Sequence, residues 1–215
     1  MGNSIILGYI CQILLYFLSV KVILFYIEKL IIYAIIRVGD LMEFREVLES
    51  RRSIRKFTLD TVGDEVLMEA IRSATLAPSA HNRQPWNFKI VSKEEKGKIA
   101  AALREKTKDI PGHTGVHTAG IFDDANQLIV VFIANQISEN RDMDILSIGG
   151  AIENMILSFN DMGIGTVWIG NTNLIREEIS EILNIDYETV SSIAIGVPDQ
   201  SPKPRPRKDI KDVLL

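Results

Sequence analysis

APSAHNRQPW, residues 77–86, is the stretch on which the reading of the fold turns. Ahead of it, DEVLMEAIRSATLAP (64–78) places Val66, Leu67, Ala70, Ile71 and Ala74 at helical spacing, and Pro78 ends the run. Behind it, WNFKIV (86–91) reads as a strand, and Ser92 then caps a polar helix, KEEKGKIAAALREK. The stretch is therefore a helix-to-strand connection. Pro78 and Pro85 stiffen it, so Ser79, Asn82 and Gln84 present short polar groups from a constrained backbone. Taken alone, it is equally an ordinary loop with Trp86 entering the core.

The same reading extends outward. EFREVLESRR (43–52) carries Phe44, Val47 and Leu48 at i, i+3, i+4 and predicts a short amphipathic helix. Residues 107–124, rich in Gly, His, Thr and Asp and without a period, read as a loop or flap. QLIVVFIA (127–134) is a strand buried on both faces. The longest helix runs from about Asp142 to Met162, striped by Ile145, Ile148, Ile152, Met155, Ile156 and Phe159, with Gly149-Gly150 open to a close neighbour. Gly163 and Gly165 break it before a short strand in GIGTVWIGN (163–171); a helix (174–183) and a last strand (190–198) follow. No repeat or linker divides residues 42–215, which read as one α+β domain.

Charge is concentrated. The 215 residues carry a net charge of −4; residues 1–41 hold three of the 24 basic and two of the 28 acidic residues, leaving 21 against 26 from residue 42 onward. Eight of those 21 sit in two places, RRSIRKF (51–57) and PKPRPRK (202–208). By itself RRSIRKF fits a solvated basic face, a nucleic-acid contact or a phosphate seat. An acidic body without aromatic residues interleaved among its cations disfavours nucleic acid. Arginine forks and the Ser53 hydroxyl suit a single phosphate. PKPRPRK otherwise reads as a solvated, extended tail.

Other chemistries are excluded. Cys11 is the single cysteine and lies before residue 42, so the body holds no disulfide framework, redox pair, thiolate nucleophile or cysteine-based zinc site. Redox chemistry would need a bound cofactor. His113 and His117 are four apart, but Pro111, Gly112 and Gly115 make their segment non-helical in this reading, so no metal site is expected. No GxSxG, HExxH or Walker motif is present, and GIGTVWIGN follows a helix, which defeats a Rossmann reading.

Residues 5–27, with Lys21 their only charge, are long enough to span a bilayer. They lack the basic start and cleavage site of a signal peptide. Residues 1–41 are then either a membrane anchor, with Arg37 and the basic start of the domain pointing to a cytoplasmic body, or an over-extended reading frame ahead of a true start at Met42. The second is favoured, because Gly39-Asp40 can be encoded by a ribosome-binding-like sequence. Native peptides containing Cys11 would refute it.

In combination RRSIRKF, APSAHNRQPW, GIGTVWIGN and PKPRPRK resemble the nitroreductase family of FMN-dependent oxidoreductases, in order and spacing, over essentially all of residues 42–215. The resemblance implies an α+β fold with a central, mostly antiparallel sheet flanked by helices, and FMN at a homodimer interface. It implies that Arg51, Arg52, Ser53 and Arg55 hold the FMN phosphate and ribityl chain, with Arg55 towards the flavin N1/O2 edge. It places Pro78, Ser79, Asn82 and Gln84 near the ring and ribityl chain, usually across the dimer interface. The backbone of Ile169, Gly170 and Asn171 would lie against the isoalloxazine, Gly170 standing where family members often carry Glu. Arg205 and Arg207 would complete the phosphate site.

The implied activity is ping-pong hydride transfer from NAD(P)H through flavin N5 to an electron-poor small molecule such as a nitroaromatic, quinone or enone, in the cytoplasm. No side chain is expected to act as acid, base or nucleophile, and no metal is expected. The alternative is a flavin-binding or membrane-tethered partner protein without turnover, which requires residues 1–41 to be translated.

Overall fold

The apolar run QLIVVFIA forms strand β2 (Gln127–Ala134) in the middle of the sheet, as its two buried faces require. A computed structural model describes residues 43–134 and 141–215. The four strands, β1 (Trp86–Ile90), β2, β3 (Gly165–Ile169) and β4 (Tyr187–Gly196), lie in the order β1-β2-β4-β3, and all three pairings are antiparallel. This is the α+β arrangement expected.

Side chains alternate across β2, so the sheet has two buried faces. Ile129, Val131 and Ile133, with Ile193 and Ile195, pack on helices α2 (Asp64–Thr75) and α5 (Arg141–Asp161). Leu128, Val130 and Phe132, with Val167, Ile169 and Ala194, face the opposite helices: α3 (Lys93–Thr107), α4 (Gly115–Asp124) and α6 (Arg176–Leu183). Burying each large apolar side chain contributes about 1.5–3 kcal/mol. The stripe expected of α5 is buried from Ile148 to Phe159; Ile145 is only half-buried.

Ser92 caps α3 as predicted. Its hydroxyl accepts from the Glu95 amide at 3.2 Å while the Glu95 carboxylate accepts from the Ser92 amide at 2.6 Å. That bond holds the Glu95 carboxyl below its usual range.

Two local expectations are corrected. The segment 107–124 is not all loop, because Gly115–Asp124 is a helix, α4, packed on α3. Its buried face is Gly115, Thr118, Ala119, Ile121 and Phe122, small and polar as much as apolar. His117 is therefore helical after all. Helix α1 (Phe44–Ser50) forms as expected but buries only Val47, leaving Phe44 and Leu48 exposed. Among the described residues no helix is long and apolar enough to cross a membrane. Residues 1–41, on which the anchor reading and the Met42 start both turn, lie outside the described residues.

Candidate functional site

RRSIRKF leaves α1 as extended chain along the outer edge of β3. Ser53 forms a parallel bridge with Thr166, and the Ile54 amide donates to the Thr166 carbonyl at 2.8 Å. Further on, Phe57 bridges Pro198, and the Asp199 amide donates to the Lys56 carbonyl at 3.0 Å. Two glycines permit this close approach. A Cβ on Gly165 would lie 2.8 Å from Ile54 Cγ2, and one on Gly196 would lie 2.7 Å from Phe57 Cδ1. Ile54 and Phe57 thus anchor the segment in the core, and the intervening cations are left facing outward.

Those cations meet the C-terminal tail around a cleft of about 660 Å3. Arg51, Arg52, Ser53 and Arg55 line it from one side; Lys203, Arg205 and Arg207 line it from the other. Among the described residues none of these six cations forms an ion pair. Glu49, the carboxylate beside them, is bound to Arg45 at 2.8 Å. Arg52 Nη1 donates to the carbonyls of Glu49 and Arg51 at 2.7 and 2.8 Å, closing the end of α1, while its Nε is buried without a partner among the described residues. Six like charges around one hollow repel each other until an anion neutralises them. A dianionic phosphate fits this donor set, and the orphaned Nε marks an unmet demand for an acceptor.

The APSAHNRQPW loop is built differently. His81, Asn82 and Gln84 all have positive φ, 53°, 54° and 48°, with no glycine to relieve them. Each such residue costs about 1–2 kcal/mol. Arg83 holds the loop down, its Nε and Nη2 donating to Asp144 Oδ1 at 3.0 and 2.7 Å. The Gln84 amide donates to Ser79 Oγ at 3.0 Å. Backbone strain kept in place by a buried carboxylate is a mark of a positioned, functional loop. Pro78, Asn82 and Gln84 are exposed and Ser79 half-buried. Gln84 lines a separate hollow of about 250 Å3 with Arg83, Asn87 and Asp144.

Within one chain the loop and the basic segment stand at opposite corners of the sheet. Trp86 pairs with Ile133 on one edge, whereas Ser53 lies beside Thr166 on the other. Thr166 is level with Ile195 and Gln127, six residues along β2 from Ile133. Four strand spacings, the last from β3 to Ser53, and six residues of rise separate the corners by roughly 28 Å. Of the predicted residues, then, Arg51, Arg52, Ser53, Arg55, Arg205 and Arg207 are brought together, and Pro78, Ser79, Asn82 and Gln84 are not among the residues lining their cleft.

The end of β3 shows a third pattern. Ile169 is buried in the core, so only its backbone is free to face a ligand, and its carbonyl accepts from Ser191 Oγ at 2.9 Å. Gly170 is exposed, with nothing within 4 Å of where a Cβ would stand. The Asn171 side chain is directed at α4, Nδ2 donating to Thr114 Oγ1 at 3.1 Å and to Thr118 Oγ1 at 2.9 Å. Among the described residues no His, Cys, Asp or Glu cluster has the makings of a metal site. His113 Nδ1 instead accepts from the Gly115 amide at 2.9 Å.

Sequence reasoning missed Arg83, Gly196 and the seating roles of Ile54, Phe57 and Gly165, all of which act through tertiary contacts. Gly165 was visible only as a helix breaker.

With this geometry in hand, comparison with known proteins is specific. The nitroreductase family model matches residues 48–197. The Bacillus subtilis protein YfhC, named provisionally as an NAD(P)H nitroreductase, is 31% identical over 179 residues, 78% of this chain and 91% of the relative. A Cr(VI) reductase of a Pseudomonas species is 24% identical over 176 residues, 79% of this chain and 72% of the relative. A Desulfovibrio desulfuricans protein crystallised in complex with FMN aligns with a TM-score of 0.70 at 26% identity, covering 81% of this chain and 96% of that one.

Proposed function

Because the chain belongs to the nitroreductase family, we propose that it is an FMN-dependent NAD(P)H oxidoreductase working as a homodimer. The observation that carries this reading is the basic corner, six cations around one cleft that form no ion pair among the described residues. Arg51, Arg52, Ser53, Arg205 and Arg207 take the FMN phosphate and ribityl end as charge-assisted donors. Arg55, one step further along the segment, faces the N1/O2 edge, where its charge favours the anionic reduced ring.

The second copy supplies what one chain lacks. Pro78, Ser79, Asn82 and Gln84 of the partner's APSAHNRQPW loop close the flavin cleft, which reconciles two motifs that stand roughly 28 Å apart within a chain. Exposed Phe44, Leu48, Met143, Leu146 and Trp168 and the exposed C-terminal residues Val213 to Leu215 provide apolar surface for such a partner. Backbone at Ile169 and Gly170 would border the ring, and the absence of a side chain at Gly170 would leave that face open.

FMN held there would supply the redox chemistry, ping-pong hydride transfer through N5 between NAD(P)H and an electron-poor acceptor of nitroaromatic, quinone or enone type. The chain's own part is to bind, orient and polarise. We place this domain, residues 42–215, in the cytoplasm. Purified protein should be yellow, or become so with FMN, and should oxidise NAD(P)H with a quinone or nitroaromatic. A colourless protein that stays so in FMN would overturn the proposal.

A further inference from the structure

We propose that Asn171 is a positioning residue that locks the first turn of α4 to the end of β3, making a fixed wall for the acceptor beside Gly170. The inference rests on the proposed flavin reading and gives the Asn171 side chain a role separate from the backbone contact that the resemblance implies there. The hydrogen bonds motivate it. An amide nitrogen has two N–H groups, and Asn171 Nδ2 spends both on α4, one on Thr114 Oγ1 and one on Thr118 Oγ1. No side-chain donor is left for a flavin.

Thr114 breaks a local rule in making its bond. It is the N-cap of α4, where a threonine hydroxyl ordinarily accepts from the helix's own first-turn amides. Here it makes no such cap bond and accepts from Asn171 instead. His113 Nδ1 takes the Gly115 amide, and Thr118 Oγ1 donates back to the Thr114 carbonyl at 3.0 Å. Gly115 is pressed so closely on α3 that a Cβ there would fall inside the Thr107 side chain. The turn is thus held from α3 by packing and from β3 by Asn171. Gly170, next to the clasp, borders open space. A molecule entering there meets a wall set by these bonds, so acceptor shape is selected by a rigid surface and not by a mobile flap.

The test uses the holoprotein with Asn171→Leu, Thr118→Val and both together, and with Thr114→Val as the mild variant at an exposed position. Amide exchange over 113–121 should quicken at least tenfold in each. In Thr114→Val and Thr118→Val the FMN dissociation constant and the rate of reduction by NAD(P)H should stay within twofold. The ratio of kcat/KM for a one-ring against a three-ring quinone should shift at least threefold, with the double variant no worse than the singles. A tenfold weaker FMN affinity with unchanged exchange would make Asn171 a flavin ligand and overturn the clasp. Faster exchange with an unchanged acceptor ratio would overturn its role in selection. Wild-type protein without FMN binding or turnover would remove the proposed function and the acceptor role with it, while exchange would still decide whether the clasp exists.

Discussion

The basic corner and the APSAHNRQPW loop reach precision by opposite means. At the corner the backbone is relaxed and the side chains carry the tension. Ile54 and Phe57 sit in the core against Gly165 and Gly196, and six cations stand around a shared cleft without a carboxylate partner among the described residues. In the loop the charges are satisfied and the backbone carries the tension, with three positive-φ residues pinned by Arg83 on Asp144. A region that waits for an anion keeps its cations uncommitted; a region that presents polar groups at fixed positions commits its charges to holding the backbone.

The largest expected effect attacks the loop's anchor. Arg83→Ala leaves the Asp144 carboxylate, 5% exposed, without its counter-ion, and should cost about 3 kcal/mol by urea unfolding. If the loop is pinned as described, FMN affinity should fall as well. An unchanged unfolding midpoint would show that the pair does not bear the strain.

At the corner, Gly196→Val should cost about 2 kcal/mol by driving a side chain into the Phe57 ring. It should also weaken FMN at least tenfold, because the basic segment must lift. Stability loss without loss of affinity would uncouple the anchor from the cations.

Arg52→Ala and Arg55→Ala divide the corner itself. Loss of Arg52 should weaken FMN about 30-fold, the scale of a charge-assisted bond worth about 2 kcal/mol. Loss of Arg55 should weaken it less but lower the flavin midpoint potential by on the order of 30 mV. Equal potentials in the two variants would merge their roles.

The smallest effect lies outside both regions and serves as a control. Ser92→Ala should cost about 1 kcal/mol through the capping box and leave FMN untouched. Glu95 has a folded pKa below its ordinary 4.5, chiefly through the Ser92 amide. Its contribution is therefore full above pH 4.5 and is lost as pH falls through the lower folded value. Glu95→Gln should lower stability at pH 7 and flatten that acid limb, the difference from wild type vanishing as pH falls through the folded value.

How much of this was legible beforehand depended on whether a residue acts locally. Leu67, Ile152 and Leu128 report helix or strand through their spacing, and the two cation clusters report an anion site through composition. Helix α4 escaped notice because Gly115, Thr118 and Ala119 face α3, so its buried side is small and partly polar and shows no apolar period. The positive φ of His81, Asn82 and Gln84 was hidden because none is glycine. Arg83 finds Asp144 sixty-one residues away, a contact that no local pattern announces. Resemblance implied that the loop and the corner share a flavin; the sheet register adds that one chain holds them at opposite corners.

That claim, a cleft made of one chain's corner and its partner's loop, is open to direct test in mixed dimers of an Arg52→Ala chain with a Gln84→Ala chain. Each homodimer should bind FMN weakly. In the mixed dimer the intact corner of one chain meets the intact loop of the other, so one FMN per dimer should bind with wild-type affinity. Mixed dimers in which neither site regains that affinity would contradict the account.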